Sequence, residues 1–447
     1  MKKIITYGTF DLLHHGHINL LKRAKELGDY LIVGVTTENY DRGRGKLNVS
    51  KSTLERIEDV RNTGLADEII IEEYEGQKID DIQKYGVDIF AIGSDWKGKF
   101  DYLNEFCEVV YLERTKGVSS TMLRGETQKI ISIGVIGSGR IANRFIPESK
   151  YVSGINVNGN YNPNINSAKA FAENHEISFY TDDLNEFYSK VDAVYIASPH
   201  PTHADYIRKS LMNGKHVLCE KPLVLKEDEA KELYSLAEEK NLILMEAIKT
   251  AYAPAFHKLI SYVKSGAIGT VRDIEASFTK LMTGNFRELS AEQAGGSMTE
   301  LSSYPLLPII KLFGTSYRDI TFYSVFENNI DVFTRAIIQF DNAVASLKVG
   351  LGVKTEGELI ISGTKGYAYV PAPWWKTEFF ELRYEDLNKN RKYFAKFEDD
   401  GLRYEISEFV SLINNPQSNY LKLNSEESIA IVGIIQKFRE GHNIIKL

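Results

Sequence analysis

The 447-residue sequence holds only two cysteines, Cys107 and Cys219, far apart in the chain. No disulfide framework is expected from them, and no Cys/His spacing suggests zinc; a reducing cytoplasm is the simple reading. Positive charge is not in excess. The net charge is −7, split as −3 over residues 1–129 and −4 over the remainder, so there is no basic half or tail and nucleic-acid binding is not expected. No apolar run approaches the length of a membrane span. The stretch Met1-Lys2-Lys3-Ile4-Ile5-Thr6-Tyr7 is too short in apolar residues for a secretion signal and runs directly into Gly8-Thr9-Phe10-Asp11. Low-complexity segments and short repeats are missing as well. What remains is globular in composition, 43% hydrophobic and 26% charged, and too long for one ordinary domain; two or three are expected.

Strands alternate with helices at first. Residues 2–8, 31–35, 68–71, 87–92 and 108–112 read as buried strands, with helical spacing over 18–27, 53–60 and 78–84. Such alternation predicts a parallel sheet with both faces covered. The polar stretch 124–129 interrupts it. A fresh series then begins: a strand at 131–136, a glycine turn, a helix from about Ile141, and strands at 155–161, 193–197, 216–219 and 242–246. From about Val271, strands at 271–278, 320–326, 335–340, 343–351, 357–362 and 366–370 follow mostly without helices, which predicts an antiparallel sheet. Helices over 402–413 and 425–439 close the pattern. The expected fold class is α/β: two Rossmann-like parallel-sheet domains plus an α+β domain with an open antiparallel sheet. The expected domains are 1–126, 130–250 and 251–447.

Two motifs carry chemistry. The first is Gly8-Thr9-Phe10-Asp11-Leu12-Leu13-His14-His15-Gly16-His17 at a strand-to-helix junction. Glycine lets phosphate oxygens approach the backbone, and a helix beginning there aims free N–H groups at an anion. Two imidazoles in that place can donate hydrogen bonds to an α-phosphate as charge develops. Arg114, able to pair phosphate bidentately, leads into Val118-Ser119-Ser120-Thr121, whose hydroxyls can open a helix toward an anion. Arg44 and Lys46 add cations after the second strand, and Asp95-Trp96 follows a later strand at the end where open α/β sheets bind ligands.

On these residues, with Gly98-Lys99-Phe100-Asp101 and Arg114-Thr115, residues 1–123 resemble a glycerol-3-phosphate cytidylyltransferase of the wider HxGH nucleotidyltransferase superfamily. The resemblance implies CTP as donor, Mg²⁺ as companion ion, and attack by an alcohol phosphate on the α-phosphate. It implies catalytic roles for His14, His17, Lys46 and Arg114. Nucleotide and phosphate contacts would fall to Gly8, Thr9, Phe10, Gly16, Arg44, Arg56, Asp95, Ser119, Ser120 and Thr121, and acceptor contacts to Asp11 and Trp96. The segment Val118-Ser119-Ser120-Thr121-Met122-Leu123-Arg124 also resembles the Ile-Ser-Ser-Thr-x-x-Arg signature of adenylyltransferases in the same superfamily, and Ser94 stands where the family often has an acid. More of the chain fits cytidine.

The second motif is Gly137-Ser138-Gly139-Arg140-Ile141-Ala142, a strand–turn–helix in which two glycines permit a tight turn and close approach to a pyrophosphate. The next strand ends Asn160-Tyr161-Asn162-Pro163, with neither the acid expected for NAD nor an immediate arginine for NADP; Asn162 serves either cofactor, and Arg140 could reach a phosphate. Lys221, in Glu220-Lys221-Pro222 after a strand, can hydrogen-bond a carbonyl or deliver a proton. With Ala197-Ser198-Pro199-His200-Pro201-Thr202-His203 before it, residues 130–447 resemble the Gfo/Idh/MocA oxidoreductases. That resemblance implies NAD(P)H as cofactor, held by Gly137, Gly139, Arg140, Ile141, Asn162, Ser198, Pro199, His203 and Glu220. It implies Lys221 and Tyr304 as catalytic residues, with Glu300 beside the substrate on one helix face.

The two resemblances together imply a bifunctional enzyme making a CDP-activated alditol. One half would reduce a keto or aldo compound and the other would transfer CMP to a polyol phosphate. Such products resemble precursors of teichoic-acid or capsule polymers. An adenylyltransferase fused to a sugar dehydrogenase and a regulatory nucleotide sensor are the other readings. The expected partners are CTP and a small polyol phosphate, without nucleic acid or membrane, in a cytoplasmic homo-oligomer, a dimer by the resemblance.

Overall fold

A computed structural model describes residues 1–11, 13–37, 40–41, 51, 53–74, 76–113, 130–284, 286–414 and 422–447. They form two compact units, residues 1–131 with 150–156, and residues 132–149 with 157–447.

The first unit is a five-stranded sheet. Its strands are β1 (Lys3–Gly8), β2 (Tyr30–Thr36), β3 (Glu68–Glu72), β4 (Ile89–Gly93) and β5 (Glu108–Leu112), in the order β3-β2-β1-β4-β5 with every pair parallel. Alternation along β1 sends Ile4 to one face and Ile5 to the other. Ile4 joins Phe10, Leu21, Val33 and Val60 in one apolar core; Ile5 joins Tyr7, Ile32, Ile82 and Phe90 in a second. Helices α1 (His15–Lys25), α2 (Thr53–Asn62) and α3 (Gln77–Tyr85) supply the covering residues. Strand order reverses between β1 and β4, so a crevice opens at their C-terminal ends.

The second unit begins with a six-stranded sheet. It contains β6 (Ile131–Ile136), β7 (Ile155–Tyr161), β8 (Phe179–Thr181), β9 (Ala193–Ile196), β10 (His216–Glu220) and β11 (Leu244–Ala247), ordered β11-β10-β9-β6-β7-β8. Helices α4 (Arg140–Ser149), α5 (Ile165–His175), α6 (Leu184–Ser189), α7 (His203–Met212) and α8 (Glu227–Glu239) alternate with the strands. Beyond them come α9 (Pro254–Lys264), β12 (Val271–Thr279), α10 (Ser297–Leu301), α11 (Ser303–Phe313), β13 (Asp319–Glu327), β14 (Ile330–Gln339), β15 (Val344–Gly350), β16 (Leu359–Gly363), β17 (Tyr367–Val370), β18 (Phe379–Arg383) and β19 (Arg391–Phe394). Helices α12 (Leu402–Asn414) and α13 (Ser425–Arg439) and strand β20 (Ile444–Lys446) complete the described elements.

The nine-stranded sheet, ordered β19-β18-β17-β16-β12-β15-β14-β13-β20, corrects the expectation of an antiparallel one. It is mixed: β12 runs parallel to β15, and β13 parallel to β20. In each case the intervening chain passes through helices, which give the crossover that a parallel pair needs. The hydrophobic pattern of each strand is the same for either direction, so the direction is not readable from it.

The last two helices return to the first sheet of their unit. Val432 of α13 lies in one apolar core with Ile136, Ile196, Val217 and Leu244. Ser428 donates to Glu246, and the backbone N–H of Glu227 donates to Gln436 at 2.6 Å. Helix α12 is clamped to α4 by a buried fork, with Arg403 Nε and Nη2 donating to Glu148 at 2.9 and 3.1 Å. Arg403→Met leaves the Glu148 carboxylate buried without its partner, and a loss of about 3–5 kcal/mol in urea unfolding is expected. The double change Glu148→Gln/Arg403→Met should recover most of it.

Candidate active sites

In the first unit, β1 exits through Thr9, Phe10 and Asp11 into α1. His14 is the N-cap of that helix: its Nδ1 accepts the backbone N–H of Gly16 at 3.0 Å. A neutral ring bonded this way carries its proton on Nε2. The His14 and His17 rings stack at 3.9 Å between centroids. The spacing His-x-Gly-His thus brings both imidazoles together at the positive end of α1, whose first turn has no acidic residue to offset it. Gly8 is required there, because a Cβ would stand 2.9 Å from the Phe10 ring.

Three expected contacts fall elsewhere. Arg56 is fully buried, and its guanidinium donates to the Thr9 carbonyl at 2.7 Å, Asp41 at 3.2 Å, the Lys51 carbonyl at 3.1 Å and Thr53 at 3.2 Å. All three of its nitrogens are committed to protein, so Arg56 ties the motif loop to α2 rather than facing a phosphate. Phe10 is 1% exposed and belongs to the core, meeting His17 edge-on at 5.4 Å. Asp11 is equally buried and accepts the Lys51 N–H at 3.0 Å. Thr9 donates to Asp41 at 3.1 Å, so Asp41, which the sequence did not single out, organises this loop from both sides. Asp95 and Trp96 sit in a short turn directly after β4, at the crevice edge, with Asp95 exposed. Arg44, Lys46, Arg114, Ser119, Ser120 and Thr121 lie outside the described residues.

In the second unit, one cavity of about 650 Å³ gathers Gly137, Gly139, Arg140, Ile141, Asn162, Ser198, Pro199, Glu220, Lys221, Glu300 and Tyr304. Gly137 has φ +105°, and a Cβ on it would meet the Ala197 carbonyl oxygen at 2.7 Å; at Gly139 the missing Cβ leaves open space. Asn160 holds the turn by donating to the Val135 and Gly137 carbonyls at 3.0 and 2.9 Å. The turn therefore brings backbone N–H groups and the start of α4 to the cavity wall, a cradle that fits a dinucleotide pyrophosphate. Such a cofactor, when bound, supplies or accepts a hydride.

Lys221 Nζ donates to the Glu300 carbonyl at 2.8 Å and lies 4.0 Å from its carboxylate. Glu300 gives both carboxylate oxygens to Arg287, at 2.9 and 3.2 Å. The expected substrate contact is thus an ion-paired group that positions Arg287 and Lys221. Tyr304 stands on the same wall, and burial followed by the charges of Glu220 and Glu405 holds its hydroxyl well above the usual phenol range, so it stays a proton donor. Glu300 and Tyr304 were expected on one face of one helix; they fall on α10 and α11, which divide at Ser302 because Pro305 has no N–H to donate to Leu301.

His203 is a correction. Its Nδ1 lies 3.0 Å from the Pro222 carbonyl and its Nε2 2.9 Å from the Ser198 carbonyl, so it braces two loops behind the cavity. His200, three residues earlier, lines the cavity instead. Burial, then His203, Lys221 and Arg287, hold its pKa well below the usual imidazole value, which keeps the ring neutral near pH 7. Sequence reasoning also missed Arg144, Lys249, Lys280 and Arg287. They bring the lining to six cations against Glu220, Glu288 and Glu300.

Asp331 of β14 caps α10, accepting the Met298 N–H at 2.9 Å and the Thr334 hydroxyl at 2.7 Å. Burial pushes its pKa up to about 7 from 3.8. The folded state therefore holds this proton more tightly than the unfolded chain between about pH 4 and 7, and stability falls as pH rises through that window. Asp331→Asn should flatten the dependence by about 3 kcal/mol between pH 5 and pH 8, read by urea unfolding at those two values. Glu246, also pushed up to about 7 by burial, leaves a residual slope of the same sign.

These geometries define a nucleotidyl-transfer site and a dinucleotide-dependent redox site. Residues 5–126 match the cytidylyltransferase-like family, residues 131–248 the oxidoreductase family with NAD-binding Rossmann fold, and residues 256–369 the GFO/IDH/MocA C-terminal domain. The chain is 53% identical over 125 residues to glycerol-3-phosphate cytidylyltransferase of Bacillus spizizenii, covering 28% of this chain and 95% of that protein. It is 27% identical over 327 residues to scyllo-inositol 2-dehydrogenase (NADP(+)) IolU of Bacillus subtilis, covering 71% and 98%. The 3-ketoreductase KijD10 of Actinomadura kijaniata, solved with NADP and TDP-benzene, shares the fold at a TM-score of 0.63 and 22% identity over 71% of this chain and 99% of that one. The chain belongs to the cytidylyltransferase-like family in its first part and to the GFO/IDH/MocA oxidoreductases in the rest, and it is an enzyme of both kinds. Among the described residues, no helix is long and apolar enough to cross a membrane.

Proposed function

We propose that the protein makes a CDP-activated alditol from a small keto or aldo phosphate. The observation carrying this reading is the charge of the reductase cavity, where six cations face three carboxylates around Lys221 and Tyr304. Asp400, 3.6 Å from Arg144, offsets one of these cations, and the remaining excess of positive charge favours phosphorylated ligands. NADPH is the preferred cofactor, because β7 leads into Asn162 and Asn164 with no carboxylate to repel a 2′-phosphate. Lys221 orients the carbonyl and Tyr304 supplies the proton to its oxygen.

The polyol phosphate so formed is the acceptor for the other half. Its phosphate oxygen attacks the α-phosphorus of CTP, a new P–O bond forms, the α–β bridge breaks, and pyrophosphate leaves. His14 and His17 stabilise the charge growing on the α-phosphate, with Lys46 and Arg114 on the phosphate chain. Among the described residues, no group of His, Cys, Asp and Glu is placed to hold a metal. Mg²⁺ would arrive on the triphosphate, as is usual for that ion. Glycerol phosphate is the first acceptor to try, since the cytidylyltransferase relative is named for it.

The test is one incubation with CTP and either NADPH or NADH, offered dihydroxyacetone phosphate, glyceraldehyde 3-phosphate or a pentulose phosphate. The expected result is a CDP-alditol by mass, faster with NADPH. Activation without any reduction of a phosphorylated carbonyl would overturn the reading, as would exclusive use of ATP.

A further inference from the structure

A second cavity, of about 340 Å³, lies in the same unit as the reductase cleft and shares no lining residue with it. One face of α9 contributes His257, Ser261 and Lys264 to it, α11 contributes Lys311, and the start of α13 contributes Glu427, with Lys422 just before. Lys311 is nearly buried and donates to Glu427 at 2.5 Å; Lys422 pairs with Glu408 at 2.8 Å. Lys264 pairs with no described carboxylate. Three cations therefore meet two carboxylates, only one of which reaches the cavity.

The field there is positive. Burial, then Lys422, Lys311 and Lys264, push His257 down to about 4, so the imidazole stays neutral and adds a polar group without competing for an anion. Asn424 caps α13, and Glu426 and Glu427 in its first turn offset the positive end of that helix, so the lysines carry the positive charge of the cavity. Ala251, Phe256 and Ile260 form an apolar floor. The volume exceeds one phosphate and leaves room for a second phosphate or a short carbon skeleton.

We propose that this cavity is a second anion site, which binds a small phosphoanion apart from both catalytic centres. Two sources share that chemistry, pyrophosphate and a short polyol monophosphate.

Radiolabelled inorganic phosphate is the probe, in equilibrium dialysis with the full chain saturated by CTP and NADP⁺; phosphate held at the substrate positions of the two catalytic sites is common to the parent and the variants, so the cavity is read as the phosphate that the glutamine pair loses. One further phosphate per chain is expected. Lys264→Gln/Lys422→Gln should weaken it about tenfold or more, while Lys264→Arg/Lys422→Arg keeps it. Both activities and the melting temperature of the arginine pair should match the parent. Displacement of the probe by pyrophosphate or by glycerol 3-phosphate supports the site and tells the two sources apart. Absence of a further bound phosphate, or binding indifferent to the glutamine pair, overturns the proposal.

Discussion

Replacing His17 with alanine is expected to lower kcat for CMP transfer by about 10²–10³-fold, the usual cost of one donor to a developing anion. Reduction of a carbonyl substrate by the other half should be unchanged. The basis is the stacked pair of imidazoles at the start of α1, where His14 has one nitrogen fixed by the Gly16 N–H. His14→Ala removes that cap as well as a donor, so its loss mixes catalysis with about 1 kcal/mol of helix stability. His17 is the cleaner probe. Release of pyrophosphate from CTP and oxidation of NADPH, measured on the same preparation, separate the two activities. Equal loss of both would reject independent sites.

Lys221→Met should lower reduction by about 10²–10⁴-fold, the range for loss of a positioned proton-transfer group, with CMP transfer retained. Methionine keeps the aliphatic bulk but cannot donate to the Glu300 carbonyl or to a substrate oxygen. Arg287 still satisfies the Glu300 carboxylate at both oxygens, so the cavity should keep its shape. Binding of NADP⁺, followed by fluorescence, should change little. Retained reduction in Lys221→Met would remove Lys221 from the chemistry.

Periodicity and turn chemistry made the alternating elements readable, and the strands expected at 131–136 and 155–161 coincide with β6 and β7. Motif spacing made the two sites readable, because His-x-Gly-His and Gly-x-Gly are local. The remainder depends on contacts distant in sequence. Nothing near Arg287 in sequence announces its fork to Glu300. Likewise, the choice between His200 and His203 depends on which ring faces the cavity and which is braced between two carbonyls. Arg56 was expected on a phosphate only through the resemblance to the cytidylyltransferases. Its commitment to Thr9 and Asp41 exists only once α2 packs on β1 and β2. Short edge strands such as β8, β19 and β20, three or four residues each, were too brief to stand out.

The return of α12 and α13 to the sheet of β6–β11 bears on biogenesis. The transferase unit has emerged from the ribosome once residue 156 is out. The reductase sheet has all its strands by Ala247, yet the places filled by Val432, Ser428 and Arg403 remain empty until α12 and α13 are made. At about 5–20 residues per second, that interval is on the order of ten seconds or more, during which an apolar surface stays uncovered. Nascent chains paused before Leu402 should already bind CTP while still recruiting chaperone at the dinucleotide half. Premature stops in that region should silence reduction long before they touch nucleotidyl transfer.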